Sequence, residues 1–212
     1  MKNTILLQKL YASQKNGIHL LELIEQIKEE MKIESLPEAT TKKQYNAIKK
    51  FLNQKVLERR PILQLTHIEN GYQVFTDSYM LFRFYNDEII KQLPHTTDEN
   101  NNGKCGNYPQ TEKLCGIFKE GVKSDVFTVA DLKRIIKTVE KNDYKKKPFN
   151  IELTKETKTR LDGVKLEKLF SIMNMKNDSK FTFLYYPTLG HTIRPIGIMH
   201  QDKEALILPM SP

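Results

Sequence analysis

The side chains best placed to do chemistry in this sequence are cationic, and they recur at helical spacing. Lys49 and Lys50 close a run that also holds Lys42 and Lys43, Lys133, Lys137 and Lys141 follow at i, i+4 and i+8 beside Arg134, and Lys165 and Lys168 lie one turn apart. On an α-helix such positions share a face or flank an apolar one. Rows of ammonium and guanidinium groups can neutralise the phosphates of a nucleic acid without reading its bases. A lysine row beside an apolar face is also what an ordinary solvated helix surface looks like, so these rows acquire meaning only if the fold turns several of them the same way.

Groups suited to catalysis are sparse. Asp143, Glu156 and Lys158 are similar to the acidic pair and lysine with which some nucleases hold a divalent metal and assist a water, but a chain this rich in charge produces such a set by chance. His19, His67, His95, His191 and His200 are scattered, with no HExxH pair, and no serine stands in a GxSxG elbow. Asn102-Gly103-Lys104 lacks the GxxxxGK[ST] spacing of a phosphate-cradling loop. Cys105 and Cys115 show no CxxC spacing and read as reduced thiols. The runs Phe82-Arg83-Phe84-Tyr85 and 181–186 could stack on bases, although alternation along a strand puts half of each into a core. No catalytic residue, metal or cofactor is expected.

A chain of 212 residues, with 39% hydrophobic and 28% charged residues, has room and composition for one large folded domain or two compact ones. Its net charge of +8 suggests a polyanionic partner. The positive excess lies in residues 1–60 and 126–212, while 61–125 is net acidic. No run approaches the roughly 18 apolar residues of a membrane span, and no leader pattern opens the chain, so a cytoplasmic protein without membrane contact is expected.

Several elements must position these side chains. Residues 1–30 read as a helical extension broken near Gly17, and 31–36 as a short strand-like run. A helix over about 42–56 turns Tyr45, Ile48, Leu52 and Val56 inward. Residues 62–68 and 72–85 read as two strands around the turn Glu69-Asn70-Gly71. The polar stretch 94–107 reads as a long exposed loop or a disordered insertion. A short helix to about Phe118 follows, and 121–125 reads as a linker, with a boundary near 122. Beyond it the pattern predicts a helix over 131–141 with Leu132, Ile135, Ile136 and Val139 on one face, then strands near 148–153 and 159–163. A helix over 165–174 with Leu166, Leu169, Phe170 and Met173 inward comes next, followed by strands over 180–186, 193–200 and 204–210.

That element order, the segment LDGVKLEKLFSIMN over 161–174 and the ending Ala205-Leu-Ile-Leu-Pro-Met-Ser-Pro212 together resemble the C-terminal domain of the bacterial DNA polymerase III beta subunit family, the sliding clamps. The first unit resembles the family in shorter motifs. Met31-Lys-Ile-Glu is similar to its opening strand, the helix to Val56 to its first helix, and Arg60-Pro61-Ile62-Leu63 to its Arg-Pro turn. Phe75-Thr-Asp-Ser-Tyr-Met-Leu-Phe82 is similar to its Thr-Asp-Gly-His-Arg-Leu motif, with Ser78, Tyr79 and Met80 departing, and Asn107-Tyr-Pro-Gln is similar to its Arg-Phe-Pro-Asp. Ser211-Pro212 replaces the family's Arg-Leu ending. The resemblance spans 31–212 and leaves 1–30 outside.

It implies an α+β fold of two clamp-like units, 31–121 and 122–212, with helices on one face of antiparallel sheets and the helical extension 1–30 in front. It implies no enzymatic activity, and a ring of six domains around double-stranded DNA, which a two-domain chain reaches as a trimer. Lys49, Lys50, Lys133, Arg134, Lys137, Lys141, Lys165 and Lys168 then contact phosphates, although lysine rows suit RNA equally well. Thr76, Leu81, Leu206, Leu208, Pro209 and Met210 map to the family's partner pocket, which takes a short hydrophobic peptide from a DNA polymerase or another replication protein. The expected function is that of a processivity factor in DNA replication or repair, of the kind a phage or mobile element encodes. Two alternatives remain at this level: a protein–protein interaction module that has lost ring formation, and a metal-dependent nuclease using Asp143, Glu156 and Lys158.

Overall fold

The computed structural model describes residues 39–85, 87, 89–97, 108–141, 145–155, 157–187 and 194–210. Gln44–Pro212 forms one compact unit, and of the other, Met1–Lys43, only residues 39–43 are described. The expected extension 1–30 and strand 31–36 lie outside the described residues.

Helix α1, Ala39–Leu52, buries Tyr45, Ile48 and Leu52 as the periodicity requires, together with Phe51. It stops at Leu52 rather than near 56, and Lys55–Arg59 winds into a separate 3-10 turn. The first part of the strand expected over 62–68 is a second 3-10 turn, Pro61–Gln64. Proline at its start presets helical φ, and the adjacent residues Ile62 and Leu63 are both buried, which an alternating strand with one solvated face does not allow. Strand β1, Thr66–Glu69, begins only after this turn.

The turn at Asn70-Gly71 holds. Both residues adopt positive φ, 49° and 79°, as a tight two-residue hairpin demands, and Gly71 takes this conformation freely. The single strand expected over 72–85 is two, β2 (Tyr72–Thr76) and β3 (Met80–Tyr85), because Asp77 turns the chain: its Oδ1 accepts from the amides of Tyr79 and Met80 at 2.9 and 2.8 Å. Within the expected 94–107 loop, His95–Thr97 forms β4, and 98–107 lies outside the described residues. A 3-10 turn, Glu112–Gly116, and α2, Ile117–Glu120, supply the expected short helix.

The segment 121–125, expected as a linker, opens strand β5, Val122–Thr128. Helix α3, Val129–Thr138, starts earlier than its apolar spacing suggests, since the Thr128 side chain caps it by accepting from the Asp131 amide. Leu132 and Ile136 are buried, but Ile135 faces solvent. Then come β6 (Pro148–Glu152), β7 (Lys158–Asp162), α4 (Gly163–Ile172), β8 (Lys180–Tyr185), β9 (Ile196–His200) and β10 (Lys203–Ile207), in the expected order. Of the four residues expected inward, Leu166, Leu169 and Phe170 are buried on α4 and Met173 is buried just past its end.

The architecture is α+β. An eight-stranded sheet runs β4-β1-β2-β3-β10-β9-β8-β5, antiparallel except for the β1–β4 pair, and β6–β7 form a separate hairpin. Register aligns side chains into rows across the sheet. Phe75 stands opposite Phe82, Phe82 opposite Ala205, Ala205 opposite Ile198, and Ile198 opposite Phe183. This row lies under the helices, where Phe51 of α1 meets Phe75 and Phe82 edge-on and Phe170 of α4 meets Phe181. The neighbouring row, Thr76–Leu81–Leu206–Gly197–Leu184, points to the other face, because successive side chains alternate. There Val74, Leu81, Leu184 and Leu206 pack with Leu57, Ile62, Leu63, Tyr108, Cys115 and Ile117.

The helices lie side by side. Gln44 of α1 donates to the carbonyl of Ile172 in α4 at 2.8 Å, and α4 meets α3 where Gly163 lies against Ile136. A Cβ on Gly163 would stand 2.7 Å from Ile136 Cγ2 and 3.3 Å from its Cβ. Because a β-branched side chain is stiff at χ1, relief requires moving a helix. Gly163→Ala is expected to lower the unfolding free energy by about 1–3 kcal/mol, read as a fall in the urea midpoint at unchanged m-value.

Candidate functional site

On the sheet face turned away from the helices, a cleft of about 220 Å³ is lined by Arg60, Thr76, Ser78, Tyr79, Met80, Leu81, Pro109, Gln110, Thr111, Leu114, Pro195, Leu206 and Leu208. Its floor is the row Thr76–Leu81–Leu206, brought together by the pairing of β3 with both β2 and β10. Of the residues expected in a partner pocket, Thr76, Leu81, Leu206 and Leu208 line it. Pro209 and Met210 do not: beyond β10 the Leu208 amide donates to the Tyr79 carbonyl at 2.9 Å, and the Met210 amide to the carbonyl of Arg160 in β7 at 2.8 Å. The first bond holds Leu208 at the cleft beside Tyr79, and the second takes the chain on to the hairpin.

One wall is the segment 109–111, held from both ends. Tyr108 stacks on His67 with ring centroids 4.7 Å apart, and its hydroxyl donates to the Val74 carbonyl. Burial pushes the Tyr108 phenol well above the ordinary tyrosine range, so it stays a neutral donor. Thr111 Oγ1 donates to Glu69 at 2.9 Å. The opposite wall is the turn 77–79, in which Thr76 Oγ1 donates to the Met80 carbonyl and accepts from the Ser78 amide. Sequence reasoning missed Arg60, Ser78, Tyr79, Met80, Pro109, Gln110, Thr111, Leu114 and Pro195 as wall residues. The signal for several of them was present, because Arg60-Pro61, 75–82 and 107–110 are the short motifs that carried the family resemblance.

The cationic residues divide into two groups. Lys168 of α4 donates to Gln54 Oε1 at 2.8 Å and stands over the Phe51 ring of α1. Burial lowers its pKa, Asp77 opposes that shift, and Lys50 and Lys165 lower it further, so these three ammonium groups share one neighbourhood. Lys165 is lowered by burial as well, with Asp77 and Asp162 opposing the shift and Lys146, a residue outside the expected set, adding to it. Its ammonium lies 3.8 Å from the centroid of the Tyr79 ring, whose turn also lines the cleft.

On α3, Arg134 and Lys137 are exposed, Lys133 donates to Asn177 Oδ1 at 2.9 Å, and Arg134 pairs with Asp131. Lys141 lies beyond the end of α3, so the helical row expected through Lys133, Lys137 and Lys141 stops at Lys137. Lys49 is partly buried on α1 beside the exposed Lys50. In the nuclease set, Asp143 and Glu156 lie outside the described residues, and Lys158 pairs with Glu152 at 2.6 Å. Among the described residues there is no group of three His, Cys, Asp or Glu that could hold a metal, and no helix long and apolar enough to cross a membrane.

Ser78 occupies the left-handed region at φ 73°, where an L side chain is strained and glycine is not. The motif that 75–82 resembles carries glycine at this place. Ser78→Gly is expected to raise the unfolding free energy by about 0.5–1 kcal/mol, the relieved strain less the entropy that glycine adds to the unfolded chain, measured by thermal and urea denaturation.

No protein-family model matches the sequence, and no curated protein matches it. Solved structures do resemble the fold. The beta subunit from DNA polymerase of Streptococcus pyogenes is 15% identical with a TM-score of 0.46, over 80% of this chain and 63% of that one. The DNA polymerase III beta chain of Streptococcus pneumoniae is 16% identical with a TM-score of 0.43, over 79% and 63%. The chain thus spans less than two thirds of the length of the beta subunits to which it is similar.

Proposed function

We propose that this chain is a clamp-like, non-catalytic protein that holds double-stranded DNA along its helix layer and docks a replication or repair partner in the cleft on the opposite sheet face. The observation that carries this reading is the convergence of Thr76, Leu81, Leu206 and Leu208, assigned to a partner pocket by sequence resemblance alone, on one apolar-floored cleft. The volume is below the roughly 300–1,000 Å³ common for small-molecule pockets and suits a few side chains of a short peptide.

The helix layer supports the other half of the proposal. Helices α1, α4 and α3 lie side by side and carry Lys50, Lys165, Lys168, Arg134 and Lys137, so cationic groups from three separate stretches of sequence occur in one layer. Such an array binds phosphates through counterion release and reads no sequence. Most of these cationic groups lie across the sheet from the cleft, and the two surfaces approach each other where Lys165 meets Tyr79. A trimer of such chains would supply six domains if 31–121 and 122–212 each act as a clamp-like unit.

Titrating a fluorescent duplex over a salt series, with molar mass from light scattering, tests the reading. Affinity should fall steeply with salt. Lys50→Glu together with Lys137→Glu should reduce the slope of log K against log salt by about 2, near 1 for each phosphate that a lysine no longer neutralises. Leu114→Glu, at a cleft residue that is 48% exposed, should leave duplex binding unchanged. A monomer indifferent to the duplex at low salt would refute the DNA-holding part of the proposal.

A further inference from the structure

Arg60 is the one charged side chain among the described residues that line the cleft. Its backbone is fixed on both sides: its amide donates to the Leu57 carbonyl and its carbonyl accepts from the Leu63 amide, each at 2.9 Å, between two short turns anchored by buried Leu57, Ile62 and Leu63. The guanidinium donates one bond to Ser78 Oγ, at 3.3 Å, and is otherwise exposed. Among the described residues no carboxylate pairs with it. A guanidinium presents five N–H donors in a planar fork that matches a carboxylate, so most of its donor capacity remains available at the cleft rim.

Several other polar groups of the cleft are already engaged, and the exposed Gln110 side chain is neutral. Thr76 Oγ1 serves Met80 and Ser78, Thr111 Oγ1 serves Glu69, and the amides of Tyr79 and Met80 are taken by Asp77. Capture of a chain terminus typically uses free backbone N–H groups arranged as a nest, and these amides of the turn are not free to form one. The floor is apolar, from Leu81, Leu206 and Leu208.

Resting on the cleft reading above, we infer that the cleft selects an internal peptide segment that sets apolar side chains on Leu81, Leu206 and Leu208 and an adjacent Asp or Glu side-chain carboxylate on Arg60. Apolar contact supplies the binding, and the guanidinium supplies the choice among apolar peptides.

The chain contains no tryptophan, so a tryptophan-bearing peptide reports its own binding by fluorescence. Three probes are compared at moderate salt: acetyl-Leu-Leu-Trp-Asp-amide, the same peptide with Asn in place of Asp, and the Asn peptide with a free C-terminal carboxylate. The Asp peptide is expected to bind about two- to five-fold tighter than the Asn amide, the range of an exposed ion pair. This preference should vanish in Arg60→Gln and survive in weakened form in Arg60→Lys. Since the whole chain carries +8 and attracts any anion, a preference that persists in Arg60→Gln overturns the assignment to Arg60. Equal binding of the Asp and Asn amides overturns the carboxylate preference and leaves the cleft reading standing. Tighter binding of the free-acid peptide than of the Asp amide overturns the side-chain source. Failure of all three probes to bind overturns the cleft reading together with this inference, whereas abolished binding in Leu114→Glu places the bound peptide in the cleft.

Discussion

The pairing of β3 with β10 joins a strand of the first half of the chain to the last strand, and the rest of the molecule depends on it. It sets Leu81 opposite Leu206 and Phe82 opposite Ala205, so β1–β4 join β5, β8, β9 and β10 in one sheet, with only the β6–β7 hairpin apart. The pleat then sends alternate rows to opposite faces. A shift of one residue would exchange the row beneath the helices with the row that floors the cleft, and both the core and the cleft would disappear together. The clustering of Phe51, Phe75, Phe82 and Phe84 on the helix side fixes that choice, since rings of this size are costly to leave in water.

The cleft shows how small backbone bonds shape a surface built on such a sheet. Its floor is ladder, but its walls are turns whose polar groups are satisfied within the chain: Asp77 over the 77–79 turn, Tyr108 and Thr111 over the 108–111 segment. Internal satisfaction makes the walls firm and removes most of their donors and acceptors from recognition. What remains for a ligand is apolar area, a few neutral polar side chains such as Gln110, and one charge, the guanidinium of Arg60. Across the sheet, Lys165 and Lys168 are partly desolvated against Tyr79, Phe51 and Gln54, so the cationic layer combines half-buried ammonium groups with exposed ones such as Lys50 and Lys137.

Much of the architecture follows from local pattern. The period of 3.6 in Tyr45, Ile48 and Leu52 and in Leu166, Leu169, Phe170 and Met173, the Asn70-Gly71 turn, and the order of elements after residue 129 all reflect side-chain burial within single elements, which a linear sequence displays directly. The departures share a cause as well. The 3-10 turn at Pro61–Gln64, the break of 72–85 at Asp77 and the strand formed by 122–128 arise from hydrogen bonds and burial supplied by residues elsewhere in the turn or sheet, which an apolar run does not reveal.

The sequence by itself determined which residues are cationic, which faces are apolar and which short motifs resemble a known family. Only the tertiary structure decided that Thr76, Leu81, Leu206 and Leu208 meet in one cleft while Pro209 and Met210 turn away, that the lysines of α1 and α4 become neighbours, and that Arg60 stands at the rim of the cleft. The physical reason is that helix and turn propensities act over a few residues, whereas strand register and helix packing are settled by which distant surfaces exclude water together.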